Sequence, residues 1–321
     1  MCFGRILIWR NSTRRFLLIK GANVVLAALQ TNFLALSASI RKTESLLKLR
    51  VITATALLAV LLPLLFHDNS TLFVGAALLM LSAGAWEWGR LNGLLSKTAV
   101  ALGVLFGCGM SLIWWRPGLP IPSIFWYVTA GLWMVLVPWL LKRGVGAWGS
   151  VPRVLRLWGG VIALGLAWIA MAQARMVGIN FLLSLLALVW VADIAAYFGG
   201  KAFGRRKLAP SVSPGKSWEG AVTGWLGVLG LAIAWIGLDV RVPMDSPSFY
   251  TLLYTHHPWA CWFVFSCLSM ASVLGDLMES LVKRSAGFKD SSNLLPGHGG
   301  ILDRVDALLP VLPLAMLFVN F

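Results

Sequence analysis

Nine stretches of the chain are apolar almost without interruption, and the polar residues gather in blocks between them. The stretches run roughly Leu49–Phe66, Thr71–Trp86, Thr98–Trp115, Pro122–Leu141, Val154–Ala174, Ile179–Phe198, Trp218–Leu238, Trp259–Glu279 and Val305–Phe321. Most have the length of about 17–22 residues at which a helix crosses a bilayer core. In lipid only helices and closed barrels satisfy their own backbone, and these stretches do not alternate as barrel strands do. The expected fold is all-α, a polytopic integral membrane protein of about nine transmembrane helices. The second stretch is short. The last contains Pro310 and Pro313, which remove backbone donors and predict a break there.

Composition agrees: 59% of the 321 residues are hydrophobic and 12% charged, against about 25% charged in a soluble domain. The formal charge of +15 invites a nucleic-acid reading, but its placement argues for a membrane. Arg116, Arg175 and Arg241 fall on one side of the alternating spans, and every other Lys and Arg falls on the opposite side. Basic loops face the cytoplasm, so the N-terminus is expected there, together with the polar loops Gly199–Ser217 and Ser280–Arg304. Cys2, Cys108, Cys261 and Cys267 have no CxxC spacing, and three lie in apolar runs. They read as small hydrophobes, with no zinc site or disulfide framework.

Residues 1–45 stand apart, with Glu44 as their only acid and an apolar run broken by Asn23, Gln30, Thr31 and Asn32. They read as a basic extension, interfacial or poorly ordered, ahead of a transmembrane domain over residues 46–321. No clear cleavage site marks them as a signal peptide. No internal repeat points to an inverted-repeat transporter.

Charges at membrane depth are costly and therefore informative. In "SVLGDLMESLVKR", Asp276, Glu279 and Lys283 share one helical face. Glu279 with Lys283 reads equally as a salt-bridged helix end, whereas Asp276, deeper and beside Gly275, reads as functional. In "KDSSNLLPGHGGILDRVDALLP", Asp303 and Asp306 could cap the last helix. Capping leaves His298-Gly299-Gly300 and Arg304 without a reason. Carboxylates from separate helices suit Mg²⁺, which takes its remaining ligands from water and phosphates. Lys283, Arg284, Lys289 and Arg304 suit those phosphates. In "WVADIAAYFGGKAFGRRKLAPSVSPGKSWEG", Asp193 interrupts an apolar span and favours function over a buried ion pair.

"SPGKS" is not a P-loop, because Pro210 occupies the first glycine's place and no strand precedes it. It remains a loop suited to an anion, with Ser213 and Lys216 the contacts. Gly220-x-x-x-Gly224 reads as a helix-packing face. His256-His257 lies on the far side without an acidic partner, and metal binding there is not favoured. Glu87, in "AWEWGRL", is equally a structural and a functional residue on this reading.

The stretch "SLVKRSAGFKDSSNLLPGHGGILDRVD" resembles the signature of the phosphatidate cytidylyltransferases, the bacterial CDP-diacylglycerol synthases. The matching positions include Ser280, Lys283, Arg284, Lys289, Asp290, His298, Gly299, Gly300, Asp303, Arg304 and Asp306. "SPGKSWEG", "ADIAAYFGG", "AWEWGRL" and "LLKLRVITATALL" are similar to the same family, so the resemblance runs from about Leu46 to the end. It implies that CTP and phosphatidate give CDP-diacylglycerol and pyrophosphate with Mg²⁺, or Mn²⁺ in its place, and with room for a second cation. It implies a multi-pass protein of the bacterial inner membrane, a homodimer, and an active site facing the cytoplasm. On this reading Asp276 and Asp303 are the metal ligands, and the catalytic set is Asp276, Asp303, His298, Lys283 and Arg284. Substrate phosphates fall to Lys216, Ser213, Lys289, Arg304, Asp193, Gly299, Gly300 and Asp306. A CTP-dependent polyprenol kinase matches the signature less completely. An ion-coupled transporter explains Asp193 and Asp276 but leaves the one-sided cations without a task.

Overall fold

A computed structural model describes residues 49, 51–115 and 122–319. The reading of residues 1–45 lies outside them. The chain divides into two compact units, Met1–Thr55 and Ala56–Phe321, and apart from residues 51–55 the features below belong to the second.

The second unit is helical, with seven helices long and apolar enough to span a membrane among the described residues. In chain order these are α2 (Ser70–Leu91), α3 (Ser96–Trp114), a span built from α4 (Ser123–Gly131) and α5 (Val137–Arg143), α7 (Arg153–Val177), α8 (Ile179–Phe203), α9 (Trp218–Arg241) and α11 (Cys261–Ser285). Shorter helices are α1 (Val51–Phe66), α6 (Val145–Ser150), α10 (Phe249–His256), α12 (Leu302–Val305) and α13 (Leu308–Val319). Between α8 and α9 lies an antiparallel hairpin of β1 (Lys207–Ala209) and β2 (Ser213–Ser217). The all-α membrane fold follows the sequence, although the first and last of the nine expected spans are short of spanning length here.

Local chemistry accounts for several boundaries. Asn69 starts α2 by accepting the Thr71 amide at 3.0 Å, and Ser217 starts α9 by accepting the Gly220 amide at 3.1 Å. Between α4 and α5 the turn Leu132–Leu136 is π-helical. Pro138 follows it and cannot donate the next helical bond.

Glycine sets the closest helix approaches. A Cβ on Gly220 would stand 2.8 Å from the Ala196 carbonyl oxygen, and one on Gly224 would stand 2.8 Å from that of Ala192. The Gly220-x-x-x-Gly224 face is thus where α9 packs on α8, as expected from small residues spaced four apart.

The last apolar stretch breaks at Asp306–Ala307, between α12 and α13, ahead of both prolines. Pro310 has no N–H for the Asp306 carbonyl, and its ring crowds that carbonyl, which disfavours a continuous helix there. The consecutive residues from Leu308 to Leu317 are all buried. A helix apolar on every side belongs inside a bundle, and α13 packs against α11, α7 and α4. Its twelve residues suffice because its neighbours, rather than lipid, cover it.

Candidate active site

The broken helix decides what lies beside α11. A Cβ on Gly275 would overlap the Asp306 carbonyl oxygen and stand 2.9 Å from the Ala307 Cα. Glycine therefore lets α11 press against the break, which brings Asp276 next to Asp306. From another side, the α8–α9 glycine contact holds Asp193 close. β2 hangs over the same place and carries Lys216.

The result is a cavity of about 560 Å³ lined by Asp193, Asp276, Asp303 and Asp306, with Lys201, Ser213, Lys216 and Arg304 around them. That volume is in the range of small-molecule sites, about 300–1,000 Å³. Lys216 Nζ lies 2.5 Å from Asp276 Oδ2. Asp193 and Asp306 are both within electrostatic reach of this pair. Lys216 is thus paired with Asp276, while Asp193 and Asp306 line the same cavity.

A second ion network adjoins the first. Lys283 Nζ bridges Glu279 Oε2 and Asp303 Oδ1, each at 2.5 Å. Asp303 Oδ2 accepts three more bonds, from the Ser291 amide at 2.9 Å, the Ser291 hydroxyl at 2.8 Å and the Gly300 amide at 2.7 Å. Burial pushes the Asp303 carboxyl up, but these donors and the Lys283 ammonium outweigh it and hold it down at about 2. Asp303 is therefore the anchor of the signature loop as well as a wall of the cavity.

The other anchor is Glu87 on α2, fully buried. Its carboxylate accepts the Ser292 hydroxyl at 2.5 Å and the amides of Ile301 at 3.0 Å and Leu302 at 2.8 Å, and lies 3.1 Å from the Ser291 hydroxyl, whose single proton it shares with Asp303. The Ile301 and Leu302 amides are thus held from another helix, while Asp303 accepts the Gly300 amide just ahead of α12 and Asp306 accepts the Ala307 amide at 2.8 Å just ahead of α13, so both acids also take part in the capping weighed from the sequence. A Cβ on Gly300 would overlap Glu87 and Ser291. Gly299 has φ +83, and a Cβ there would stand 2.7 Å from Asp303 Oδ2. The glycines beside His298 serve close packing and a left-handed turn.

The structure does not bring every expected residue to the cavity. Arg284 donates to the Phe288 carbonyl at 3.4 Å and does not line it. Lys289 lines a different pocket, with Arg90 and Asp290. The His298 carbonyl accepts from Arg304 Nη2 at 2.6 Å. Asp276 and Asp303 both line the cavity, each paired with its own lysine. "SPGKS" is itself strand β2, returning antiparallel to β1, so it has none of the strand–loop–helix order of a P-loop. Sequence reasoning passed over Lys201, and left Glu87 undecided. A buried carboxylate amid tryptophans was the available signal for Glu87.

The donor set is made of hard carboxylate oxygens, the type that Mg²⁺ takes. Among the described residues, no group of three Asp, Glu, His or Cys side chains is already arranged around a common point for a metal. Asp276 Oδ2 and Asp303 Oδ1 are instead each held by a lysine ammonium, a cation in the position a metal would need. Each oxygen would be freed for a metal only if its lysine turned to another anion. The residues fit the ion on that condition.

The profile of the cytidylyltransferase family matches residues 48–321, which covers all of the residues just described. The chain belongs to this family. Among similar proteins, the phosphatidate cytidylyltransferase of Pseudomonas aeruginosa is 38% identical over 278 residues, covering 84% of this chain and 95% of that protein. That of Haemophilus influenzae is 33% identical over 86% of this chain and 99% of its own length. The Staphylococcus aureus enzyme is 30% identical, with 84% and 97% covered. As a cytidylyltransferase this chain has a reason to gather lysines in one cavity: a triphosphate brings negative charge for them to meet.

Proposed function

We propose that this membrane cytidylyltransferase transfers CMP from CTP to phosphatidate, giving CDP-diacylglycerol and pyrophosphate, in the cavity beneath β2. The observation that carries the assignment to this cavity is that Asp276 and Asp303 both line it, Asp276 paired with Lys216 on its wall and Asp303 with Lys283 behind it. Each pair holds a cation where a metal would sit and an anion where a phosphate would sit.

A phosphatidate oxygen attacks the α-phosphorus of CTP, and the bond from that phosphorus to the bridging oxygen breaks. Pyrophosphate leaves with the electron pair. A phosphate monoester has its second pKa near 6, so it is already largely ionised near neutral pH, and no strong general base is required. Lys216 and Arg304 turn to the phosphates and hold them in line, as positioning requires. Lys283 keeps Glu279 as a partner when it releases Asp303. Asp276 and Asp303 would hold Mg²⁺, which supplies charge neutralisation of the triphosphate when bound. Ser213 presents a hydroxyl at the rim, and Asp193 and Asp306 keep the cavity negative enough to retain the lysines. His298, Gly299 and Gly300 shape the loop around Asp303.

The one-sided distribution of Lys and Arg supports a cytoplasmic N-terminus and a cytoplasmic opening of this cavity. With bacterial relatives, that supports the inner membrane as its location. The family resemblance supports a homodimer. The test is purified protein given radiolabelled CTP, phosphatidate and Mg²⁺. A cytidine-bearing lipid is expected. A phosphorylated polyprenol, or no lipid product, would overturn the assignment.

A further inference from the structure

A second opening runs along the outer face of α2 and α3, lined by Gly75, Leu79, Trp86, Gly103, Gly107 and Leu112 among others. Its floor is low because Gly103 and Gly107 sit against Ser82, where any Cβ would stand 2.7 Å from an oxygen. Its rims are apolar and exposed: Leu79 is 75% exposed and Leu112 70%. From Gly75 to Trp86 a helix rises about 17 Å, roughly one leaflet of a hydrocarbon core about 30 Å thick.

At Trp86 this groove meets the polar pocket of Arg90, Lys289 and Asp290, and both Trp86 and Leu294 line the two together. The Trp86 indole N–H at this junction is buried and has no hydrogen-bond partner. The Arg90 guanidinium lies 5.0 Å from the Trp86 ring centre. An apolar trough one leaflet deep, ending at a polar pocket where Arg90 and Lys289 outnumber Asp290, fits a phospholipid with an anionic headgroup. Ser291, on the wall of the polar pocket, donates to Asp303 on the wall of the acidic cavity. One side-chain contact therefore separates the headgroup end of the groove from the proposed reaction site.

We propose that the α2–α3 groove is where phosphatidate first docks from the bilayer, one acyl chain along Gly75–Trp86 and the phosphate at Arg90 and Lys289, before the headgroup passes to the cavity beneath β2. The assignment rests on the function proposed above, which supplies the lipid substrate. It also gives Lys289 a phosphate to hold outside the acidic cavity.

Phosphatidate carrying a diazirine at the end of one acyl chain, photolysed with the full-length protein in vesicles, tests this. Label is expected in peptides from α2 and α3, displaced by excess phosphatidate but not by phosphatidylglycerol. Gly75→Leu fills the deep end, where a Cβ has no heavy atom within 4 Å. It is expected to raise KM for dioleoyl phosphatidate about tenfold, the effect of roughly two buried methylenes. KM for dihexanoyl phosphatidate and for CTP stays unchanged. Absent label, equal displacement by phosphatidylglycerol, α3-to-α3 cross-links between two copies in its place, or equal kinetics on both lipids would overturn the groove. Product formed by the unsubstituted protein in the same vesicles separates this failure from failure of the proposed reaction.

Discussion

Lys216 Nζ stands 2.5 Å from Asp276 Oδ2, tying the β-hairpin to α11. Partly exposed ion pairs contribute little to stability on their own. This one has a different consequence: it places a mobile ammonium at the acidic end of α11, where a phosphate can compete for it. The same logic applies to Lys283, which has two carboxylates to choose between.

Asp276→Asn and Asp303→Asn separate the chemistry from the scaffold. Each is expected to lower CDP-diacylglycerol formation by at least about a hundredfold, the usual cost of removing a charge-stabilising group. Only Asp303→Asn should also lower thermal stability, by about 1.5–3 kcal/mol, because it weakens charge-assisted bonds to Ser291, Gly300 and Lys283. Near-normal turnover in either variant would remove that residue from the proposed metal site.

Glu87→Gln keeps the size of the anchor but substitutes a donor for one acceptor oxygen. Since Ile301 and Leu302 both present amides, one of them loses its partner. The expected result is a loss of about 1–3 kcal/mol and a lower kcat, with KM for CTP little changed. Glu87→Asp, too short to reach all four donors, should not rescue. Melting curves alongside steady-state kinetics check this, and an unaltered kcat would refute a positioning role.

Gly275→Ala inserts a methyl group into the Asp306 carbonyl. Overpacking of this kind costs about 1–3 kcal/mol, and here it also pushes Asp276 away from Asp306. Activity should fall with stability. Ala271→Gly, on the same helix and also buried, provides the contrast of a stability loss without loss of activity.

Acid should leave the signature loop in place until low pH. Asp303, held down at about 2, binds its proton more weakly in the folded state than the usual carboxylate near 3.9. Its stabilising contribution is thus fully present above about pH 4 and is lost as pH falls through about 2. Hydrogen exchange at the Ser291 and Gly300 amides, corrected for intrinsic rates, should show steady protection from pH 7 to about pH 4. Loss of that protection near pH 6 would contradict the assignment.

Removing residues 1–40 should leave cytidylyl transfer intact, because no residue of the proposed site lies there and the family profile begins at residue 48. A truncated protein that folds, enters the membrane and makes no product would contradict this.

The sequence by itself determined the all-helical membrane architecture, because uninterrupted apolar length is read directly by a bilayer. It also determined the polar end of α11 and the signature loop, since charges at such positions are too costly to be incidental. Spacing along one helix was enough to pair Glu279 with Lys283, and four-residue spacing was enough for the Gly220–Gly224 contact. Only the tertiary structure decided that Lys216 faces Asp276, that Glu87 holds Ser291 and Ser292, and that Lys289 leaves the acidic cavity for another pocket. Periodicity constrains neighbours within a helix, whereas these contacts join residues tens to hundreds of positions apart. They depend on how closely glycines let helices approach and on where Pro310 breaks the last one.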